Sequence, residues 1–134
     1  MPETEIVRLH IRPAVDREIE IRVVSPSGRD GDEDLTLWVR SGFFQDGEPT
    51  STPLGPDDAR ALWAFLEGFE LRGPALDLRG LDGRTYTLEI HAAGVDESLE
   101  WWERVSEGWS DAQRLVDELL RLAGPAADGF WRRA

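Results

Sequence analysis

The residues best suited to chemistry in this chain are its two histidines, His10 and His91, together with the polar residues near the second one. Ser98, His91 and Glu89 could be written as a Ser-His-carboxylate grouping. Glu89 and His91 are two residues apart on one predicted strand, however, so their side chains point the same way. No nucleophile elbow or oxyanion loop accompanies them. We therefore interpret both histidines as surface residues and expect no enzymatic activity.

Two carboxylates form a second candidate for chemistry, because the predicted strand register places Glu89 directly opposite Glu100. Opposed carboxylates push each other's pKa values apart, which is how a general acid and a general base arise from one residue type. Such a pair needs a cleft, and the predicted position is an open sheet face. The alternative is two solvated carboxylates bridged by Arg104 or Arg79.

An acidic loop carries the spacing with which calcium-binding loops begin, since Asp30, Asp32 and Asp34 stand at alternate positions. The sixth position of that motif has no glycine, and Ser41 stands where the bidentate glutamate is needed. The pattern favours a solvated run of charge. We expect no metal and no cofactor.

A surface tryptophan is the preferred candidate for binding. Trp101 and Trp102 are adjacent, so only one of them can face the core from a regular strand. A tryptophan exposed among glutamates is typical of a surface that binds a basic protein. The predicted partner-binding residues are Trp102, Glu89, Glu100, His91, Trp38 and Arg104. The alternative is that a tail over 125–134, with Phe130 and Trp131, covers this face.

Composition limits the possible functions. The chain has 134 residues, a formal net charge of −12 and no cysteine, lysine or asparagine. Disulfides, Schiff-base lysines and P-loop lysines are therefore excluded. The acidity argues against nucleic acid and anionic membranes as partners and permits a basic protein. No apolar run reaches membrane-spanning length and no signal-peptide pattern is present, so we expect a cytoplasmic location.

Hydrophobic periodicity predicts one α+β domain over 1–134, with a mainly antiparallel sheet of about five to six strands and two α-helices packed on one face. The stretch 45–56 is predicted to be a surface loop, and Ser110 and Gln113 have the spacing of a capping box. Strands are predicted at 1–12, 18–24, 35–41, 76–80, 84–92 and 97–105. Helices are predicted at 56–68 and 110–123.

Turn chemistry predicts how the last three strands pair. A three-residue first loop would pair Leu78 with Tyr86, which makes the apolar face continuous. A second loop at 94–95 would pair Leu88 with Trp101. The Leu88 and Trp101 side is then expected to be the core and to carry both helices.

These features predict a non-catalytic, acidic protein-interaction module. A concrete version is a bacterial immunity or inhibitor protein that caps a basic toxin or nuclease. One alternative is a small structural or adaptor subunit, or a homodimer that uses the same sheet face. A second alternative is a small-molecule-binding or hydrolytic domain with a pocket between sheet and helices.

Overall fold

The computed structural model describes residues 4–13, 18–42, 48–72, 83–102 and 107–127. These residues form one antiparallel sheet and two α-helices, which confirms the α+β class. None of the described helices is long and apolar enough to cross a membrane. The elements are β1 Thr4–Pro13, β2 Glu18–Ser25, β3 Thr36–Gly42, β4 Thr50–Pro53, α1 Pro56–Glu67, β5 Arg84–Ala92, β6 Val95–Trp102 and α2 Ser110–Ala123, with short 3₁₀ turns at Glu107–Trp109 and Gly124–Ala127.

The six strands lie in the order β4-β3-β2-β1-β5-β6, and every neighbouring pair is antiparallel. Both edges of β5 are occupied, because Tyr86 lies opposite Ile11 of β1 on one side and Trp101 of β6 on the other. The predicted pairing of Leu78 with Tyr86 is therefore wrong. The predicted strand at 76–80 lies outside the described residues, as do residues 128–134 of the tail predicted over 125–134.

Strand β4 falls within the stretch predicted to be a loop. Its sequence is Thr-Ser-Thr-Pro and all four residues are exposed, so it carries no apolar alternation that would reveal a strand. It is held by its backbone: Thr50 lies opposite Val39, and just beyond the strand the Leu54 N–H donates to the Leu35 carbonyl at 2.9 Å. Pairing with β3, rather than burial, makes this segment a strand.

The β5–β6 hairpin exists, but its predicted register is wrong by two residues. Leu88 lies opposite Leu99 and not Trp101. The loop is accordingly Ala93-Gly94, with φ angles of 55° and 79°. Two consecutive positive φ angles are typical of the turns that close two-residue hairpins.

Aromatic stacking accounts for the observed register. Tyr86 lies directly opposite Trp101, and their rings stack with centroids 5.3 Å apart and planes 5° apart. Stacked cross-strand pairs stabilise a hairpin beyond the area they bury. Because side chains alternate with a period of two, a shift of two residues keeps every residue on its predicted face. Trp101 is buried and Trp102 lies on the other side, as predicted.

Both helices pack on the Leu88 and Trp101 side of the sheet, which confirms the predicted core face. The buried helical residues recur at helical spacing, so each helix contributes one apolar stripe. They are Ala59, Leu62, Trp63 and Leu66 of α1, and Ala112, Leu115, Val116, Leu119 and Leu120 of α2.

The predicted capping box of α2 is wrong. Ser110 is the first helical residue, the N-cap position is Trp109, and no side chain caps it. The Gln113 amide donates instead to Asp117 at 3.0 Å, one turn further along. The α1 prediction is confirmed, since that helix begins at Pro56.

Two hydrogen bonds join the start of α2 to the segment that follows α1. The Arg72 N–H donates to the Gly108 carbonyl at 2.7 Å, and the Glu70 N–H donates to the Asp111 carboxylate at 3.0 Å. A Cβ atom on Gly108 would lie 1.5 Å from the Arg72 carbonyl oxygen. Glycine is therefore required at 108 for steric reasons.

Substituting Gly108→Ala is expected to destabilise the fold by roughly 1–3 kcal/mol, because the Arg72 backbone must move to admit the methyl group. Gly68→Ala is the matched control: its Cβ would lie 3.9 Å from the Phe65 carbonyl oxygen, an ordinary contact. This control is expected to stay within about 1 kcal/mol of wild type, on the stabilising side. Urea unfolding measures both. Equal midpoints for the two variants would contradict the steric argument.

Candidate functional site

Side chains that alternate with the core residues project from the side of the sheet that carries neither described helix. We call this side the open face. Trp102 lies on it and is half-buried. Its charged, aromatic and hydroxyl residues are Glu5, Arg8, His10, Arg12, Glu18, Glu20, Arg22, Thr36, Trp38 and Arg40 on β1 to β3, and Thr85, Thr87, Glu89, His91, Asp96, Ser98, Glu100 and Trp102 on β5 and β6.

A buried glutamate organises the part of the open face formed by β1, β2 and β3. Glu20 is only 6% exposed, and its carboxylate lies 3.1 Å from the Arg8 guanidinium and 3.6 Å from that of Arg40. Burial acts to lower the pKa of Arg8, but the hydrogen bond and charge of Glu20 outweigh it and raise that pKa. Two cations therefore neutralise one buried carboxylate.

The same three strands carry further paired charges. Arg22 donates to Glu5 at 2.7 Å, and the His10 ring nitrogen lies 3.4 Å from a Glu18 carboxylate oxygen. With Arg8, Arg40 and the exposed Arg12, this part of the face holds four arginines against three glutamates. We call it the arginine half. It is not acidic, although the chain as a whole carries −12.

The acidic charge of the open face lies on β5 and β6, which we call the acidic half. Glu89, Asp96 and Glu100 project there, and no arginine does so among the described residues of these strands. The His91 ring lies 2.7 Å from the Asp96 carboxylate, and both side chains are exposed. This half therefore carries three carboxylates: Asp96 and Glu100 are exposed, and Glu89 is partly exposed opposite Arg8 of β1.

The two catalytic groupings considered from the sequence are not assembled. Glu89 lies opposite Ser98, and Glu100 lies opposite Thr87, so the predicted opposed carboxylate pair is wrong. His91 contacts Asp96 rather than Ser98 or Glu89. The two-residue register shift explains both differences.

Four of the six predicted partner-binding residues lie on the acidic half, Trp102, Glu89, Glu100 and His91, with His91 at the turn end and Trp102 at the other end. Trp38 is on the same face but on β3, four strand spacings from β6. At about 4.8 Å per strand, that is ~19 Å away. Trp38 and Trp102 therefore cannot anchor one small contact. Arg104 lies outside the described residues.

Trp38 borders a small pocket of its own, in the arginine half. The pocket has a volume of about 70 Å³. Neither this pocket nor the buried Glu20 is predicted from the sequence, because the pairing of one strand's charges with the next depends on registers that the sequence does not reveal. Alternating Glu and Arg on neighbouring strands was the available signal. The lining residues are Glu20, Arg22, Trp38, Val39, Arg40 and Pro49.

The acidic loop between β2 and β3 is organised around Asp32. Its carboxylate accepts hydrogen bonds from Ser27 at 2.5 Å, from Ser25 at 3.1 Å and from the Asp34 N–H at 2.9 Å. These bonds lower the pKa of Asp32, the bond from Ser27 most of all. The Trp63 indole donates to the Asp32 carbonyl at 2.7 Å, which ties the loop to α1. Hydrogen-bond donors of the chain itself thus occupy the carboxylate of Asp32, the central residue of the predicted run of charge.

Replacing Glu20 with alanine is expected to cost about 1–3 kcal/mol of stability, because Arg8 and Arg40 lose their shared buried carboxylate. The lower part of that range applies because both arginines are partly exposed. Glu100→Ala is the control, since Glu100 is exposed and faces Thr87; it is expected to change stability by less than about 0.5 kcal/mol. Chemical unfolding at low and high salt measures the difference. Equal losses in the two variants would count against the Glu20 network.

Removing the Asp32 charge by Asp32→Asn is expected to lower the melting temperature at neutral pH, with Asp30→Asn as the control. Since the folded pKa of Asp32 lies below its ordinary value of 3.8, its charge stabilises the fold above about pH 4. That contribution is lost as the pH falls through the folded pKa. The gap between Asp32→Asn and wild type should therefore close in acid. A gap that stays constant down to about pH 2 would contradict this assignment.

Comparisons of this chain with protein-family models, with curated proteins and with solved structures found no match. Its site therefore has to be interpreted from its own residues and their geometry.

Proposed function

We propose that this chain is a non-catalytic protein-binding module whose binding surface is the acidic half of the open face. The partner is a basic protein, and the concrete version is an immunity-type or inhibitor protein that caps a basic toxin or enzyme in the cytoplasm. The observation that carries the proposal is the division of charge: the exposed β6 carboxylates, Asp96 and Glu100, lie beside a strand whose described residues place no arginine on this face, whereas the carboxylates of β1 and β2 are paired.

Unneutralised carboxylates on one side of a sheet favour a cationic partner for two reasons. They attract it over distance, which raises the rate of association, and they repel acidic competitors. Glu100 is exposed and lies opposite the uncharged Thr87, so no cation on the neighbouring position of β5 offsets its desolvation on binding. A cation from the partner would supply that offset.

Trp102 supplies an apolar anchor at the end of this surface. It is half-buried and lies opposite Thr85, so part of its side chain is accessible. Tryptophan is the residue type most enriched among the energetic centres of protein interfaces, and its ring also attracts guanidinium groups. A basic partner with arginines at its surface fits both properties.

The arrangement of the core supports a binding role over the alternative with a pocket between sheet and helices. The described side chains that fill this space are apolar, and they pack as one cluster. His10 and His91 both project from the open face, away from the helices. Neither histidine is thus placed to act in such a pocket.

A homodimer is the second candidate, and the same division of charge favours it. A two-fold axis that runs parallel to the strands, above the open face at the boundary of β1 and β5, would bring each arginine half against the other copy's acidic half. Such isologous pairing is the commonest symmetry of homo-oligomers. In this case Arg8 would face Glu89 of the second copy.

Charge reversal on the acidic half tests the proposal. Glu100→Arg and Trp102→Ala are each expected to weaken binding to the partner at least ~10-fold, because one repels a basic surface and the other removes the anchor. The control Glu67→Arg makes the same charge change at an exposed residue of α1, on the other side of the sheet. It is expected to alter the affinity for the partner by less than ~2-fold. Retention from a lysate identifies candidates, and calorimetry with the purified partner measures affinity.

Sedimentation of the purified chain separates the two candidates. A monomer that loses its partner through Glu100→Arg fits the basic-partner proposal, whereas a dimer that dissociates through the same change fits the homodimer. A chain that stays monomeric and retains no partner at micromolar concentration would contradict both.

A further inference from the structure

The sheet has two edges, and they are built differently. The β4 edge is four residues long, and the residues that bond to β3 are Thr50, Thr52 and Leu54, at alternate positions. The positions between them face outward, away from β3. They are Ser51 and Pro53, with Pro49 just before the strand. Proline has no N–H, so this edge offers few donors to a further strand.

The β6 edge is eight residues long and contains no proline. Because the hairpin loop has two residues, Ala92 and Val95 form its closing hydrogen-bonded pair, and every second residue after Val95 bonds to β5. The backbone N–H and C=O groups of the residues between them point outward. These residues are Asp96, Ser98, Glu100 and Trp102. Among the described strands none pairs with this edge.

The four residues with outward backbone groups are also the β6 residues whose side chains lie on the acidic half. The β6 edge therefore presents hydrogen-bonding groups and negative charge from the same positions. Glu97 adds a third exposed carboxylate on the opposite side of the strand. Natural sheet edges are commonly protected from unwanted strand pairing by proline or by charge. In this molecule proline protects the β4 edge and carboxylates protect the β6 edge.

Charge determines which strand the β6 edge accepts. A second copy added antiparallel about Ser98 would place Asp96 opposite that copy's Glu100, and the reverse, so like charges would meet twice. Pairing of β6 with itself is thereby disfavoured. A strand with arginine or lysine at alternate positions would instead form an ion pair at each of these sites.

We infer that the β6 edge binds an extended, basic segment of the protein partner by antiparallel strand addition. This inference rests on the proposed function and specifies its geometry. Directly opposed residues of antiparallel strands project from the same face. The basic residues opposite Asp96, Ser98 and Glu100 therefore share the open face with them, and their own N–H groups are the ones that bond to β6. Trp102 stacks on the segment at the end of the strand.

A pair of modified peptides tests this geometry without altering the protein. The probe is a capped octapeptide of alternating arginine and threonine, titrated by tryptophan fluorescence. N-methylation of its arginine amides removes the N–H groups that would bond to β6, whereas N-methylation of its threonine amides removes outward ones. The charge is the same in both. The arginine-methylated peptide is expected to bind at least ~10-fold more weakly than the unmodified one, and the threonine-methylated peptide within ~3-fold.

Amide exchange and one substitution in the protein give independent readouts. On saturation with the unmodified peptide, the Ser98 and Glu100 amides are expected to exchange at least ~10-fold more slowly. Ser98→Pro removes an outward N–H that makes no bond to β5, and it is expected to weaken peptide binding, whereas Ser98→Ala keeps that N–H and the affinity. Circular dichroism checks that both variants fold.

Equal binding of the two methylated peptides, unchanged exchange at Ser98 and Glu100, or no binding of the peptide would each overturn strand addition. Failure of the proposed function would look different. If a partner is lost with Glu100→Arg but retained with Ser98→Pro, the acidic half still binds it, and only strand addition is wrong. If the peptide discriminates as expected but no partner is found, the edge geometry holds while the proposed function fails.

Discussion

The pairing of β1 with β5 is the interaction on which the rest of the structure depends. It joins residues far apart in the chain, Val7 opposite Ile90 through Pro13 opposite Arg84. This pairing makes one six-stranded sheet from an N-terminal group of four strands and a C-terminal hairpin. It also brings the arginine half and the acidic half side by side, with Arg8 opposite Glu89. Without it, neither the shared core nor the divided open face would exist.

Local features of this fold are predictable from the sequence because they depend on neighbouring residues. The period of two in β5 and the apolar stripe of α2 each reflect burial of one face, and both elements lie where the sequence places them. Strand β4 escapes prediction because its Thr-Ser-Thr-Pro sequence buries nothing, and among the described residues its strand pairing is with β3. Pairing between distant strands carries no comparable local signal. The sequence therefore predicts one neighbour of β5 correctly, β6, and places the segment 76–80 where the structure has β1.

Turn preferences alone were insufficient to predict the β5–β6 register. A glycine-first loop at 94–95 agrees with local rules, whereas the observed loop places Ala93 at a positive φ angle of 55°, which costs energy for a residue with a Cβ. The observed register offsets that cost by stacking Tyr86 on Trp101 and pairing Leu88 with Leu99. Tertiary packing therefore outweighs the turn. The predicted face of each β5 and β6 residue is nevertheless correct, because a shift of two residues keeps every side chain on the same face. The residues of the surface are therefore predictable, whereas the cross-strand residue pairs on it are not.

The net charge of −12 describes the open face poorly, because ion pairing redistributes the charge. On β1 to β3 the arginines form ion pairs with Glu20 and the carboxylates near it. The negative charge that stays exposed on the open face therefore lies on β5 and β6. The same carboxylates act on the β6 edge, where they oppose pairing with a second copy of the chain. Under the proposed function, this edge stays unpaired until a basic partner binds, and the carboxylates supply a selective barrier. Proline would close this edge to every strand, whereas carboxylates close it to acidic strands and leave it open to basic ones.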